Sequence, residues 1–486
     1  MIAALQDYTL PPAAVRFGAF AGLVAFGALW GAAVAVGGTA AVIVLITIIA
    51  CIFCVRDFRA GVVLLILIMP ISQSYVFPHE MFGITGANPL NLLMAATLAV
   101  MVMRTAGDGT LTHFAPKPLV LLYIAPMIMG AFLGAPHVGE IPAEFRDTEM
   151  IFFKDAFGYV RDMLVKPLTF VVYALLVSVA IQRSKKPERF IVPMIVSVAI
   201  MAAVILVFIA MAGVSISSLA GTYTRHFLSA LGMHANDLGR LYAVAYALLL
   251  FVWDRAPTKM MKTCAMAAMV VVVLALLVTF SRGAFLGFII VNLIYLASRR
   301  NRKTLLLLLV ALPIGLYFTP GAVWDRVTMG WGEGADTISA GRTDEIWGPV
   351  IPELFKSPIW GNGLGAVMWC APMVAGMMPQ VGHPHNAYLE VILDLGVVGL
   401  VLLSAFWILT WRDFRRLAKE ERIAPELQGF FEGAAAGLLS FLVAGMAGSS
   451  LMPAPEQSFL WLAVGMMYGV QRRLNPRVPA KRKKGT

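Results

Sequence analysis

Residues 190–212 read FIVPMIVSVAIMAAVILVFIAMA, an apolar run without one charged side chain. At 1.5 Å per helical residue such a run reaches across the roughly 30 Å hydrocarbon core of a bilayer. It has no polar stripe, so it does not read as a surface helix of a soluble domain. Working outward, about fourteen runs of this kind can be marked, near 17–36, 39–55, 60–77, 88–103, 118–135, 164–182, 190–212, 239–253, 263–280, 283–298, 304–319, 389–411, 430–451 and 457–471. The composition agrees: 59% hydrophobic and 13% charged, with a mean hydropathy of +0.81, against about 25% charged residues in soluble domains. The expected fold is all-α and polytopic, with about 12–14 transmembrane helices.

Orientation follows from lysine and arginine, which resist translocation when they sit in short loops. Alternate connections are basic, and together with Arg16 and the tail from Arg472 to Lys484 they hold 28 of the 38 basic residues, which places both termini on the cytoplasmic side. The first ten residues lack a basic n-region with a cleavable small-residue site, so no removable signal peptide is expected. The formal net charge of +11 fits loops facing an anionic leaflet and membrane lipids, not nucleic acid. Cys51 and Cys54 form a CxxC spacing, but inside an apolar run without His or basic partners, so packing is the expected role.

Ten basic residues remain for the outer face: Arg146, Lys154, Arg161, Lys166, Arg225, Arg240, Arg282, Arg326, Arg342 and Lys356. Three outer loops are long, near 136–163, 213–238 and 320–388, and long loops are where function concentrates. In the first, Met150, Phe153, Phe157, Val160 and Leu164 recur at helical spacing, with Asp147, Lys154 and Arg161 on another face. This predicts an amphipathic segment near 145–163 lying at the interface. In the second, His234 and Asp237 could join His383 and His385 around a metal, although an extended His-Pro-His triplet and the missing carboxylates favour polar groups lining a wet loop.

Ser281-Arg282-Gly283 lies between two apolar runs, which pins Arg282 at the membrane boundary, either as a functional cation or as a snorkelling cap on the preceding helix. Gly341-Arg342-Thr343-Asp344-Glu345 reads as a helix start. There Arg342 would hold a phosphate beside free backbone N–H groups or would pair with Asp344 or Glu345. The cluster Gly361-Asn362-Gly363-Leu364-Gly365 allows close backbone approach, to a ligand or simply within a loop. His383-Pro384-His385-Asn386 then precedes the run 389–411, and a neutral imidazole can take a proton from an alcohol. Cations with a base, and no carboxylate dyad or metal set, suit transfer of a group from a phosphate or pyrophosphate leaving group to a hydroxyl.

These motifs, in this order, resemble the O-antigen ligase-like superfamily of bacterial membrane glycosyltransferases, which includes O-antigen ligases, Wzy-type polymerases and protein O-oligosaccharyltransferases. The residues that carry the resemblance are Ser281-Arg282-Gly283, Gly341-Arg342 with Trp347, Gly361-Asn362-Gly363-Leu364-Gly365, and His385-Asn386-Ala387-Tyr388-Leu389-Glu390 leading into Leu395-Gly396-Val397-Val398-Gly399.

The resemblance implies a GT-C-like fold in the bacterial inner membrane, with a long periplasmic loop carrying short helices. It implies transfer of a glycan from undecaprenyl pyrophosphate to a hydroxyl of lipid A-core, a growing polysaccharide or another acceptor, by inversion and without a metal or other cofactor. It maps the base to His385 and the pyrophosphate ligands to Arg282 and Arg342, with His383, Asn386, Arg225 and Ser281 in support. The implied division is an N-terminal membrane region over 1–212, a catalytic region over 213–411 that includes the periplasmic loop 320–388, and C-terminal helices with a basic tail over 412–486. Ligation is expected ahead of polymerisation. A carrier of lipid-linked glycans is the competing class, and it would call for internal repeats and midplane charges that the sequence lacks.

Overall fold

The computed structural model describes residues 41–72, 88–106, 114–146, 153–213, 232–299, 321–328, 330–448 and 451–475, with a few isolated positions between them. Three shorter apolar helices come first, α1 (Ala41–Arg56), α2 (Phe58–Ile71) and α3 (Pro89–Thr105). Among the described residues, eight helices long and apolar enough to cross a membrane follow: α4 (Lys117–Glu140), α5 (Ala156–Arg183), α6 (Pro187–Ala212), α7 (Ala235–Arg255), α8 (Lys259–Val278), α9 (Arg282–Arg299), α10 (Ala387–Leu417) and α11 (Pro425–Ala447). Helix α12 (Ser458–Leu474) closes the order. The chain is an all-α, multi-pass membrane protein. The strand pairing described is a two-residue antiparallel ladder of Glu80–Met81 with Ile84–Thr85.

Twelve of the fourteen predicted runs coincide with these twelve helices, eight of which reach spanning length. The runs 17–36 and 304–319 lie outside the described residues, apart from isolated positions in the first. The segment near 145–163 is not one amphipathic helix. Asp155 caps α5, its carboxylate accepting the Gly158 N–H at 2.6 Å, and the helix then continues unbroken to Arg183. Phe153 therefore precedes the helix and is buried, while Phe157 is 79% exposed on its first turn. Helical periodicity cannot put the two on one face when the helix starts between them. Asp147 and Met150 lie outside the described residues.

Among the described helices α7 is the most enclosed: 89% of its apolar window is buried, against 22% for α9. Among the described helices the most extensive pairings are α7 with α11 and α5 with α12. Small residues make them possible, since lipid tails are as apolar as leucine and association depends on backbone approach. Gly429, Gly433 and Gly437 recur every four residues along α11, and a side chain on any of them would run into Phe251, Ala247 or Val244 of α7. Gly465 and Gly469 of α12 meet Ala174 and Ser178 of α5 in the same way. At the end of α7 away from His234, Arg255 and Arg299 share Glu432 at 3.0 and 2.8 Å, and Arg299 also takes Asp254 at 2.7 Å, tying α7, α9 and α11 together.

Candidate functional site

The His383–Asn386 turn is built by helix capping. Asn386 is the N-cap of α10, its side chain accepting the N–H groups of Tyr388 and Leu389 at 3.1 and 3.2 Å, which is why asparagine is favoured there. His385 sits one residue earlier with φ +56°, a left-handed conformation uncommon for a non-glycine residue and retained when surrounding contacts over-determine it. Those contacts are present. The His385 N–H donates to His383 Nδ1 at 3.2 Å, the Trp347 indole N–H donates to the Pro384 carbonyl at 2.8 Å, and the Tyr388 hydroxyl donates to the Leu442 carbonyl at 2.7 Å. With Nδ1 of His383 accepting, a neutral His383 carries its proton on Nε2.

The two imidazole rings meet edge to face with centroids 4.2 Å apart. Both are recessed but keep some solvent access. Burial, then the charges of Arg240 and Arg342 and nearby His234, pull the His383 pKa down to about 4. Burial, then His383, Arg342 and His234, outweigh the opposing pull of Asp237 and bring His385 down to about 2. Both rings are therefore neutral at pH 7, with Arg342 acting on each.

Arg342 follows two consecutive left-handed residues, Ala340 (φ +60°) and Gly341 (φ +81°), and opens the helical turn Thr343–Trp347. Ser339 Oγ and Asp336 Oδ1 accept the N–H groups of Thr343 and Asp344, both at 3.1 Å. The guanidinium donates to the Ala447 carbonyl at 3.1 Å. Arg282 is the first residue of α9, with α8 ending at Val278. It thus faces the positive end of the α9 dipole, where the helix favours an anion and does not stabilise a cation. Ser281 Oγ accepts the Ala284 N–H at 3.4 Å, and Ser281 and Ala284 pack on Gly239 of α7. Arg225 lies outside the described residues.

Gly361-Asn362-Gly363-Leu364-Gly365 approaches protein backbone. Helix α10 is broken at Gly396 (φ +66°, ψ −170°), and the loop docks into the break. Val397 and Val398 donate to the carbonyls of Pro358 and Ile359 at 2.9 and 3.2 Å, and Asn362 and Gly363 donate to those of Leu393 and Asp394 at 2.8 and 2.9 Å. The buried Asp394 carboxylate accepts the N–H groups of Gly365 and Ala366 at 2.8 and 3.0 Å. Backbone that a bilayer would leave unsatisfied is closed within the protein.

Two features escaped the sequence. Arg240, a buried arginine one turn into α7, is paired with Asp237 at 2.5 Å and Glu456 at 3.1 Å. The Asp237 spacing of three residues was a visible signal, whereas Glu456 is 216 residues away. The end of α11 is the second feature. Ala444 lies near Gly283, Gly445 near Ala387 and Tyr388, and Gly448 against Arg240, while Ala447 accepts from Arg342. One turn thus touches the SRG motif, Arg240, Arg342 and the start of α10. Of the four residues weighed as a metal set, Asp237 is engaged by Arg240, and His234 Nδ1 accepts the Asn236 N–H at 3.2 Å.

The order Ser281-Arg282, Gly341-Arg342 and His385-Asn386, converging on one turn of α11, is the observation against which the chain's relatives can be read. Residues 267–404 match the O-antigen ligase family, Wzy_C. No curated protein matches the chain. The matched region holds Arg282, Arg342, the Gly361–Gly365 dock, both histidines and Asp394, and members of this family are glycosyltransferase-like enzymes. Arg240, Glu456 and the α11 turn lie outside the match but line the same place.

Proposed function

We propose that the protein is a membrane glycosyltransferase that moves a glycan from undecaprenyl pyrophosphate to an acceptor hydroxyl on the periplasmic side of the bacterial inner membrane, with both termini cytoplasmic. The observation that carries the reading is the neutral, recessed His385, held in a strained turn beside Arg342 within the O-antigen ligase region. His385 takes the acceptor O–H proton. The acceptor oxygen forms a bond to the anomeric carbon as the bond from that carbon to the pyrophosphate oxygen breaks, so the anomeric centre inverts and undecaprenyl pyrophosphate leaves. Arg282 and Arg342 hold the pyrophosphate and stabilise the charge it gains. Ser281 and Asn386 set the geometry of the two helix starts, and His383 orients His385.

The low basicity of His385 has a role in this scheme. Burial and then His383 depress it most, with Arg342 next; a pyrophosphate bound to Arg342 offsets that share of the shift and raises the histidine's basicity in part. The base is then unprotonated at neutral pH and more basic with the donor bound. Residues 213–411 form the catalytic region, framed by the helices of 1–212 and 412–486. Ligation to lipid A-core is the first reading and polymerisation of the glycan the second.

The test is His385→Ala in membranes supplied with undecaprenyl-pyrophosphate glycan and candidate acceptors, with insertion checked in parallel. Loss of transfer with normal insertion is expected. Full activity would remove His385 as the base. Products of the parent that form one step or a ladder separate ligation from polymerisation.

A further inference from the structure

Beside the Gly361–Gly365 dock opens a cavity of about 390 Å³, within the size range of small-ligand sites. It uses neither the histidine pair nor the arginines. Its walls come from the end of α4 (His137, Glu140), from Glu353 and Lys356, and from Trp369. Leu393, which also lines it, is six residues into α10, roughly 9 Å along the helix from Ala387 at 1.5 Å per residue. The cavity therefore lies near the same end of α10 as the His385 turn.

Its chemistry is specific. The His137 imidazole stacks on the Trp369 indole at 5.8 Å with 13° between planes, and Tyr159 meets the same indole edge-on at 6.0 Å, which gives a rigid aromatic wall. Two carboxylates stand at its border. Glu353 is buried, and both its partners, Lys356 Nζ at 2.8 Å and the Ala371 N–H at 3.3 Å, fall on Oε2, which leaves Oε1 to accept. Glu140 engages His137 through Oε1 at 2.9 Å, which leaves Oε2. Two carboxylates against one lysine already in an ion pair oppose a phosphate or a uronic acid. An aromatic plane edged by acceptors suits a ligand with an apolar face and a rim of donors.

We propose that this cavity is a glycan subsite that takes a neutral or amino-sugar ring of the transferred or receiving chain, its C–H face against the partly exposed His137 ring that the buried Trp369 backs and its hydroxyl or amide donors on Glu140 and Glu353. The proposal rests on the glycosyltransferase reading for its biological ligand, not for its test.

Purified protein in nanodiscs is titrated with a panel of neutral, N-acetylated and uronic trisaccharides, read by saturation-transfer NMR. At least one neutral or N-acetylated member should bind saturably, and the uronic ones most weakly. The exposed pair His137→Ala with Glu140→Gln should weaken binding about tenfold, as expected for loss of a hydrogen bond to a charged group. Glu353→Gln is the second variant, with folding of each checked by melting temperature. No saturable neutral ligand, or binding unchanged in all variants, overturns the proposal.

Because the readout is equilibrium binding, His385→Ala should keep the saccharide signal, so loss of transfer and loss of the subsite are scored separately. In a transfer assay the His137 and Glu140 variants should raise KM for one substrate: for the donor if the ring belongs to the transferred chain, for the acceptor if it belongs to the receiving one. An unchanged KM for both would remove the subsite from the reaction.

Discussion

Helix α10 carries two departures from regular backbone, both at positive φ, that do opposite things. At its start, His385 holds φ +56° and presents a neutral ring that solvent can still reach. Nine residues after Ala387, Gly396 holds φ +66° and is buried under the docked loop. The first turn leaves ring nitrogens available for chemistry. The second directs its polar groups inward: four backbone N–H donors of the dock and the break, and both Asp394 oxygens, are consumed within the protein. Positive φ next to a conspicuous motif is therefore not by itself a sign of a ligand site; what separates the two is whether the hydrogen bonding closes on itself.

Substitutions at the two places should separate them. His385→Ala or His385→Gly should lower kcat by two to four orders of magnitude, the range for removing a general base, while the glycine variant melts no lower than the parent because it relieves the left-handed residue. A transfer rate within tenfold of the parent would break the comparison at its functional end. Gly363→Ala should instead cost folded protein, by about 3 kcal/mol or more, since its methyl would meet the backbone of Gly134 on α4; recovery of a normally melting variant would break it at the structural end. Asp394→Asn keeps size but supplies one acceptor where two N–H groups arrive, so denaturation of the purified protein should show a loss of about 1–3 kcal/mol with KM for the donor unchanged.

The smallest effect is on pH dependence, and its sign follows from the depressed histidines. With His385 near 2 and His383 near 4, lowering the pH from 8 to about 5 leaves both rings neutral, so neither contributes an acid limb to kcat/KM, which reports the free enzyme. If a bound pyrophosphate offsets Arg342, kcat loses activity at a higher pH than kcat/KM does. Coincident acid limbs near the ordinary histidine value of ~6.5 would show that burial and the neighbouring His383 and Arg342 do not depress His385.

How much of this was legible in the sequence depends on the range of the interaction. Apolar runs mark the helices because burial in a bilayer acts on each segment separately, and twelve runs fall on described helices. The ordered motifs marked the residues the turn of α11 brings near one another, because each is set by a local cap or turn: Asn386 at the start of α10, Ser281 at the start of α9, and Ala340 with Gly341 before Arg342. The amphipathic reading of 145–163 failed because periodicity does not say where a helix begins, and Asp155 begins it late.

What the sequence determined by itself is therefore the membrane class, the positions of the helices and the chemistry of the motifs, all of which follow from side chains acting on near neighbours. What only the tertiary structure decided is the purpose of the Gly361–Gly365 cluster, the burial of Arg240 against Glu456, the meeting of the motifs on the end of α11, and the aromatic cavity beside the dock. Each joins segments far apart in the chain, and contacts of that kind are fixed by packing that no local pattern records.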